Sequence, residues 1–211
     1  MKNDTNHFDY QGRVIEFMKA SGQVVNTTPH SMTTDLADLR YRLFQEEVLE
    51  LREAIVARDK VEQLDAIVDI LYILLGTGAT IGDNLNPEIR AAIDWCIRTR
   101  KGRSTVDVLA LLESAHVLEL QSSIQNTIII AFDMGFKGEQ IQKAFELVHS
   151  NNMSKFCDSR EEAVQSVDSY RAQGVESYFV NRGGKYVILR KEDDKVLKGI
   201  NYKKVELKEL V

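Results

Sequence analysis

The sequence predicts a mainly α protein, an antiparallel helical bundle followed by a small C-terminal β-hairpin. Two observations carry that expectation. Apolar residues recur with the helical period through most of the first 173 residues, where the only prolines are Pro29 and Pro87 and glycine is sparse before Gly76. Beyond Gly174 the pattern changes to β-rich runs, Tyr178-Phe-Val-Asn-Arg182 and Lys185-Tyr-Val-Ile-Leu-Arg190, on either side of Gly183-Gly184. The expected division is therefore a helical domain over 1–173 and a β-ribbon with its tail over 174–211. The edge of such a ribbon needs a partner, either the helical body or another subunit.

Helices are expected over residues 8–21, 33–57, 60–80, 87–101, 105–119, 120–134, 138–150 and 160–173. In the second, Leu36, Leu39, Leu43, Phe44, Val48, Leu51 and Ile55 keep the helical period, with Phe44, Val48, Leu51 and Ile55 as the core row. The third has Val61, Leu64, Val68, Leu71 and Leu75 as its core row. Only Val56-Ala-Arg-Asp59 separates the two patterns, a connection so short that the helices must be antiparallel neighbours. Asp59 and Glu62 have the spacing of a capping box. Asn86-Pro87-Glu88 reads as a helix start, with Asn86 as N-cap and Pro87 in the first turn.

The chemistry lies beside those two core rows. Residues three or four apart share a helix face, so Leu43, Glu47, Glu50 and Ala54 form one row, and Glu62, Asp65, Asp69 and Tyr72 form another. The short connection turns the acidic rows toward each other. Carboxylates gathered in a partly desolvated seam repel by several kcal/mol unless protons, basic side chains or metal neutralise them. Hard oxygen ligands without His or Cys suit Mg²⁺ or Mn²⁺ rather than Zn²⁺ or iron. The plain alternative is that these acids are solvated and paired with Lys or Arg. A di-iron bundle expects Glu-x-x-His pairs, and no His follows these acids at that spacing.

At these residues, Leu43-Phe-Gln-Glu46-Glu47-Val-Leu-Glu50-Leu51 and Glu62-Gln-Leu-Asp65-Ala-Ile-Val-Asp69-Ile-Leu-Tyr72, the chain resembles the all-α nucleoside triphosphate pyrophosphohydrolases, the superfamily of MazG and phosphoribosyl-ATP pyrophosphohydrolase. The likeness is to a Glu-x-x-Glu … Glu-x-x-Asp signature. It resumes at Val148-His-Ser-Asn-Asn152-Met-Ser-Lys155-Phe156 and at Lys195-Val-Leu-Lys198-Gly-Ile-Asn-Tyr202, similar to C-terminal motifs of one MazG-like branch that includes phage and bacterial proteins. The motifs together span roughly half the chain. If the second acidic pair is read as Glu62 and Asp65, the spacing fits and Asp69 is an extra ligand; if Asp69 is its Asp, the Glu position holds Ala66. The sequence leaves both registers open.

The resemblance implies an all-α pyrophosphohydrolase bundle that cleaves a (d)NTP between its α- and β-phosphates with Mg²⁺, giving the monophosphate and pyrophosphate, in sanitation or remodelling of a nucleotide pool. The metal ligands expected are Glu47, Glu50, Glu62, Asp65 and Asp69, with Glu46 holding a further metal or taking the water's proton. Asn152, Lys155, Lys198 and Tyr202 are expected to bind substrate, the lysines as point charges on phosphates and Asn152 at a base edge or phosphate oxygen, so that the ribbon serves the same site. The structural alternative there has Asn152 and Ser154 capping a helix, Met153 in the core and the lysines solvated. His149 reads as a packing or capping histidine, and Tyr72 either packs in the core or hydrogen-bonds near the metals. The segment 83–124 is longer than in the family and reads as an inserted helical pair, with Trp95 in a core or an interface. A homodimer or larger homo-oligomer is also implied. Phosphoribosyl-ATP hydrolysis in histidine biosynthesis is the alternative within the fold, and a helical interaction module without catalysis is the alternative outside it.

Composition sets the outer bounds. At 211 residues and 44% hydrophobic, the chain can bury a sizeable core. A net charge of -5, with no Lys/Arg run, argues against a nucleic-acid polymer as partner. Cys96 and Cys157 lack metal-site spacing and read as buried thiols in a reducing compartment. No apolar run is expected to reach membrane-spanning length and Met1-Lys-Asn-Asp-Thr-Asn-His7 is not a signal peptide, so a cytoplasmic protein with no membrane partner is expected.

Overall fold

A computed structural model describes residues 8–99, 105–116, 118–204 and 206–211. Eight α-helices and a three-stranded antiparallel sheet follow one another along these residues: α1 Tyr10–Ser21, α2 Thr34–Ala57, α3 Lys60–Ile81, α4 Asn86–Thr99, α5 Thr105–Ser114, α6 Leu120–Asp133, α7 Gly138–Met153, α8 Arg160–Ala172, β1 Ser177–Arg182, β2 Lys185–Arg190 and β3 Val196–Leu197. The mainly α expectation is met. Contacts divide the chain into two units, one of Met1–Ile15, Val25–Val148 and Glu206–Val211, the other of Glu16–Val24 and His149–Val205. In the second unit α8 packs on β1 and β2.

In the first unit α3 is the central helix. It buries Leu64, Ile67, Val68, Ile70, Leu71, Leu74 and Leu75, and α2 buries Phe44, Val48 and Leu51. Ile55 of the expected core row is only partly buried, and Leu39, which keeps the same period, is exposed. Contrary to expectation, α3 is long and apolar enough to cross a membrane by length and composition, but most of that stretch is buried inside the fold. The α2–α3 corner is tight. Arg58 takes a left-handed conformation (φ 56°) so that its N–H reaches the carbonyls of Ala54 and Ile55, and the Asp59 carboxylate accepts from the N–H groups of Val61 and Glu62. This is half of the expected capping box, since the Asp59 N–H donates to the Ala54 carbonyl (3.0 Å) instead of meeting Glu62.

The far end of α3 is closed by the segment between α1 and α2. Asn26 N–H donates to Ala79 O, Asn26 Nδ2 to Thr80 O and His30 N–H to Ile81 O, satisfying carbonyls that a helix end leaves unpaired. Gly82 follows in the left-handed region (φ 82°), where a Cβ would come within 2.1 Å of the Thr28 carbonyl oxygen. Asn86 does not cap its own helix. Its Oδ1 accepts from the Gln11 N–H at the start of α1, and its Nδ2 donates to Asp9. The Gln11 side chain accepts from Leu85 N–H (2.6 Å) and donates to Asp83 O (2.7 Å) and Leu75 O (3.2 Å), so α1 is fastened to the α3–α4 corner.

Within the segment 83–124, α4 and α5 both pack on α6. The end expected for α4, at 100 and 101, lies outside the described residues, as does position 117 of the helix expected over 105–119. That helix stops at Ser114, five residues early, where His116 turns the chain by accepting from Leu118 N–H on its ring and from Glu119 N–H on its carbonyl. Cys96 is buried as expected, with its thiol pushed up to about 11 by burial and by the charge of Asp133, while Trp95 is half-buried.

In the second unit the expected hairpin is present, with Arg182 opposite Lys185 and both Gly183 (φ 60°) and Gly184 (φ 90°) in the positive region that a two-residue turn requires. A third strand, too short to read in advance, pairs Ile188 with Leu197 and Leu189 with Val196. Strand alternation gives the sheet two apolar faces. Val187 and Leu189 join Phe156, with Phe17 and Met153 packed against them, and Ile188 joins Cys157 and Ala163. Both faces of the sheet are therefore packed within the second unit.

Replacing Gln11 by Met should lower the unfolding free energy by about 3 kcal/mol, because it orphans the buried Leu85 N–H and two carbonyls at once. Denaturant unfolding at equilibrium measures it, and a loss below about 0.5 kcal/mol would show that the fastening carries little.

Candidate active site

The acidic rows meet as the antiparallel pairing of α2 and α3 requires. Glu47 is the focus. Its carboxyl is pushed up to about 8, first by burial and then by the charges of Asp69, Glu50, Asp65 and Glu46, in that order. Every charge named is negative. The Glu47 Oε2 is buried with no hydrogen-bond partner among the described residues, which leaves a strong acceptor with nothing to accept from. Glu46 and Glu50 are exposed, while Asp65 and Asp69 are half-buried.

Three of the five expected metal ligands, Glu50, Asp65 and Asp69, thus act on a fourth, Glu47, together with Glu46. Glu62 does not join them. It is exposed in the first turn of α3, its backbone N–H held by Asp59. Among the described residues no three His, Cys, Asp or Glu side chains stand close enough to hold an ion as they are placed. The donor set nevertheless fits a hard divalent cation: oxygen ligands only, a surplus of negative charge, and an orphaned buried carboxylate oxygen at the centre. Tyr72 takes the core alternative, stacking on Phe145 with ring centroids 5.5 Å apart.

The C-terminal motif residues lie in the second unit. Lys155 donates to the Oδ1 of Asn152 (2.6 Å) and sits over the Phe17 ring (5.8 Å to its centroid). Lys198 is exposed with its ammonium over the Tyr202 ring, 4.3 Å from the centroid. The two segments are neighbours, for Gly199 N–H donates to Lys155 O (2.8 Å) and Lys203 N–H to Ser154 Oγ (3.3 Å). Part of the structural alternative is present as well. Ser154 Oγ donates to Asn151 O at the end of α7, and Met153 packs against the sheet. His149 is buried with its Nε2 3.3 Å from Glu16, an anchoring contact. Sequence reasoning missed Tyr170 and Ser166, which hydrogen-bond the 198–200 backbone; no spacing in α8 announces them.

Comparison with known proteins agrees with this geometry. Residues 14–92, which include both acidic rows, match the family model for phosphoribosyl-ATP pyrophosphohydrolase. An uncharacterized protein of Acanthamoeba polyphaga mimivirus is 27% identical over 232 residues, covering 92% of this chain and 92% of its own. No solved structure matches.

The raised Glu47 carboxyl has a consequence for stability. Between an unfolded value near 4.5 and a folded value near 8, the folded state holds the extra proton, so metal-free stability falls as pH rises through that window. Thermal melting in EDTA from pH 5 to 8 should show this decline, and Glu47→Gln should flatten it. An identical slope in the variant would mean that the Glu47 carboxyl is not the desolvated group that titrates in this window.

The span 14–92 thus matches the phosphoribosyl-ATP pyrophosphohydrolase family, of the MazG-like all-α nucleoside triphosphate pyrophosphohydrolase superfamily, and this match supports a function of pyrophosphohydrolase type.

Proposed function

We propose that the protein is a Mg²⁺-dependent nucleoside triphosphate pyrophosphohydrolase that cleaves (d)NTP to (d)NMP and pyrophosphate, in sanitation or remodelling of a nucleotide pool. The observation that carries this is the Glu47 carboxyl, whose Oε2 is buried without a hydrogen-bond partner among the described residues and which is pushed up by burial and by the charges of Asp69, Glu50, Asp65 and Glu46. Mg²⁺, or Mn²⁺ in its place, neutralises phosphate charge and acidifies bound water. Glu47, Glu50, Asp65 and Asp69 hold it in this reading, and the exposed Glu46 accepts the proton of the attacking water. Lys155 and Lys198 offer positive charge to phosphate oxygens, Asn152 presents its amide N–H groups, and Tyr202 keeps the Lys198 ammonium in place. The free, buried Cys96 and Cys157 support a reducing, cytoplasmic setting. Exposed Leu39, Leu49 and Val56 on α2 and Ile97 on α4 support a homo-oligomer.

Hydrolysis of phosphoribosyl-ATP is the second reading, favoured by the description of the matching family model. Both substrates share the α–β phosphoanhydride bond, so one product analysis separates them. Incubation with each (d)NTP and with phosphoribosyl-ATP in Mg²⁺ should give a nucleoside monophosphate and pyrophosphate from a (d)NTP, and EDTA should stop it. Orthophosphate as first product, or no turnover of any (d)NTP, would overturn the leading reading.

Two sets of variants probe the assigned groups. Glu50→Gln or Asp69→Asn should abolish most turnover yet leave a folded protein that melts at an equal or higher temperature without metal, because the amides relieve repulsion but cannot balance a cation. Lys155→Met and Lys198→Met should each lower kcat/KM by about ten- to a hundredfold, the worth of a charge-assisted contact of roughly 1.5–3 kcal/mol, with metal affinity unchanged. Kinetics within about twofold of wild type would make these lysines ordinary surface residues.

A further inference from the structure

We propose that Tyr170 and Ser166 of α8 are positioning residues for an anion-binding loop, fixing the backbone of Lys198-Gly199-Ile200 so that the Lys198 ammonium is presented to a polyphosphate chain. The inference rests on the reading of Lys198 as a phosphate ligand and adds the residues that make it one. Tyr170 Oη donates to Lys198 O (3.1 Å) and accepts from Lys198 N–H (3.2 Å), so one hydroxyl grips both backbone polar groups of that residue. Ser166 Oγ accepts from Ile200 N–H (2.9 Å) while donating to Glu162 O within its own helix (2.7 Å).

Between these two grips, Gly199 lies against the first motif segment. Its N–H donates to Lys155 O (2.8 Å), and a Cβ there would meet Cys157 Sγ at 2.8 Å and Lys155 O at 3.1 Å. Tyr202 N–H closes the turn onto Gly199 O (3.0 Å) and brings its ring under the Lys198 ammonium. The loop is thus held at three consecutive residues by side chains and backbone of elements that precede it.

The charge pattern says what the loop holds. In the same unit the exposed Arg171 and Lys191 and the half-buried Lys185 and Arg190 each face a carboxylate, while Arg160 lies over the Phe179 ring. Lys198 faces an aromatic ring instead and pairs with no carboxylate among the described residues, and no acid occurs from Lys195 to Lys204. An ammonium on a pinned backbone, with its charge not yet cancelled, binds an anion at a lower ordering cost than one on a free loop. Its ligand class is a linear polyphosphate, the triphosphate of a nucleotide in the reading above.

Inorganic tripolyphosphate is the probe, titrated calorimetrically into the full chain, so that the result does not depend on turnover. Lys198→Met should weaken its binding tenfold or more. Tyr170→Phe and Ser166→Ala should each weaken it on the order of three- to tenfold, the worth of one hydrogen bond, and neither should weaken it further in the Lys198→Met background. Kinetically, Tyr170→Phe should raise KM for nucleotide with kcat within about twofold. Two variants at separate grips guard against one that fails to fold, and melting identifies it. Wild-type affinity in both Tyr170→Phe and Ser166→Ala, or an equal loss with and without Lys198, overturns the positioning role while leaving the pyrophosphohydrolase reading intact. Unchanged affinity in Lys198→Met overturns both the lysine's assignment and this inference. Absence of pyrophosphate release from any nucleotide overturns the enzymatic reading alone.

Discussion

The confrontation of like charges across the α2–α3 seam is the constraint on which the rest of the first unit depends. A buried carboxyl facing four other acids is unfavourable by itself, and it persists because the same two helices bury Phe44, Val48 and Leu51 on one side and Leu64, Ile67, Val68 and Leu71 on the other. Each of those side chains contributes roughly 1.5–3 kcal/mol on leaving water, enough together to hold the acids where repulsion would part them. The corner at Arg58 and Asp59 sets the register of the helices, and hence which acids face which.

The second unit solves a different problem by similar means. A three-stranded sheet this small does not hold alone, and its two apolar faces are covered by Phe156 with Phe17 and Met153 on one side and by α8 on the other. The same α8 that covers the sheet grips the loop after it through Ser166 and Tyr170. Packing and presentation of the loop therefore belong to one helix.

Much of this was legible in the sequence, and the part that was not has physical reasons. Helical period and the short Val56–Asp59 connection were sufficient to bring the acidic rows together, since both are local. Which acid would be desolvated was not legible: Glu47 and Glu46 are adjacent in sequence, yet Glu47 is half-buried and Glu46 exposed, a difference made by tertiary packing. Glu62 kept the right spacing but lies in the first turn of α3, outside the group that acts on Glu47. Leu39 obeyed the helical period and is exposed all the same, because period says which face a residue shares and not whether anything covers it. Val196-Leu197 is too short for alternation to register, and the grouping of α8 with the sheet arises from contacts that no local pattern encodes.

The composition of the two units by chain segment bears on how the protein is made. Residues 16–24, early in the chain, belong with 149–205, while the last residues, 206–211, return to the first unit through Leu207 and the Gln140 Nε2 bond to Leu210 O. On a ribosome, the C-terminal half of α1 emerges long before the strands that it packs against. Its Phe17 must wait, exposed, for more than a hundred residues of synthesis, and the loop that closes when they meet is among the longest that the chain can make. The first unit can assemble most of its core during that interval, so the second is the later to form.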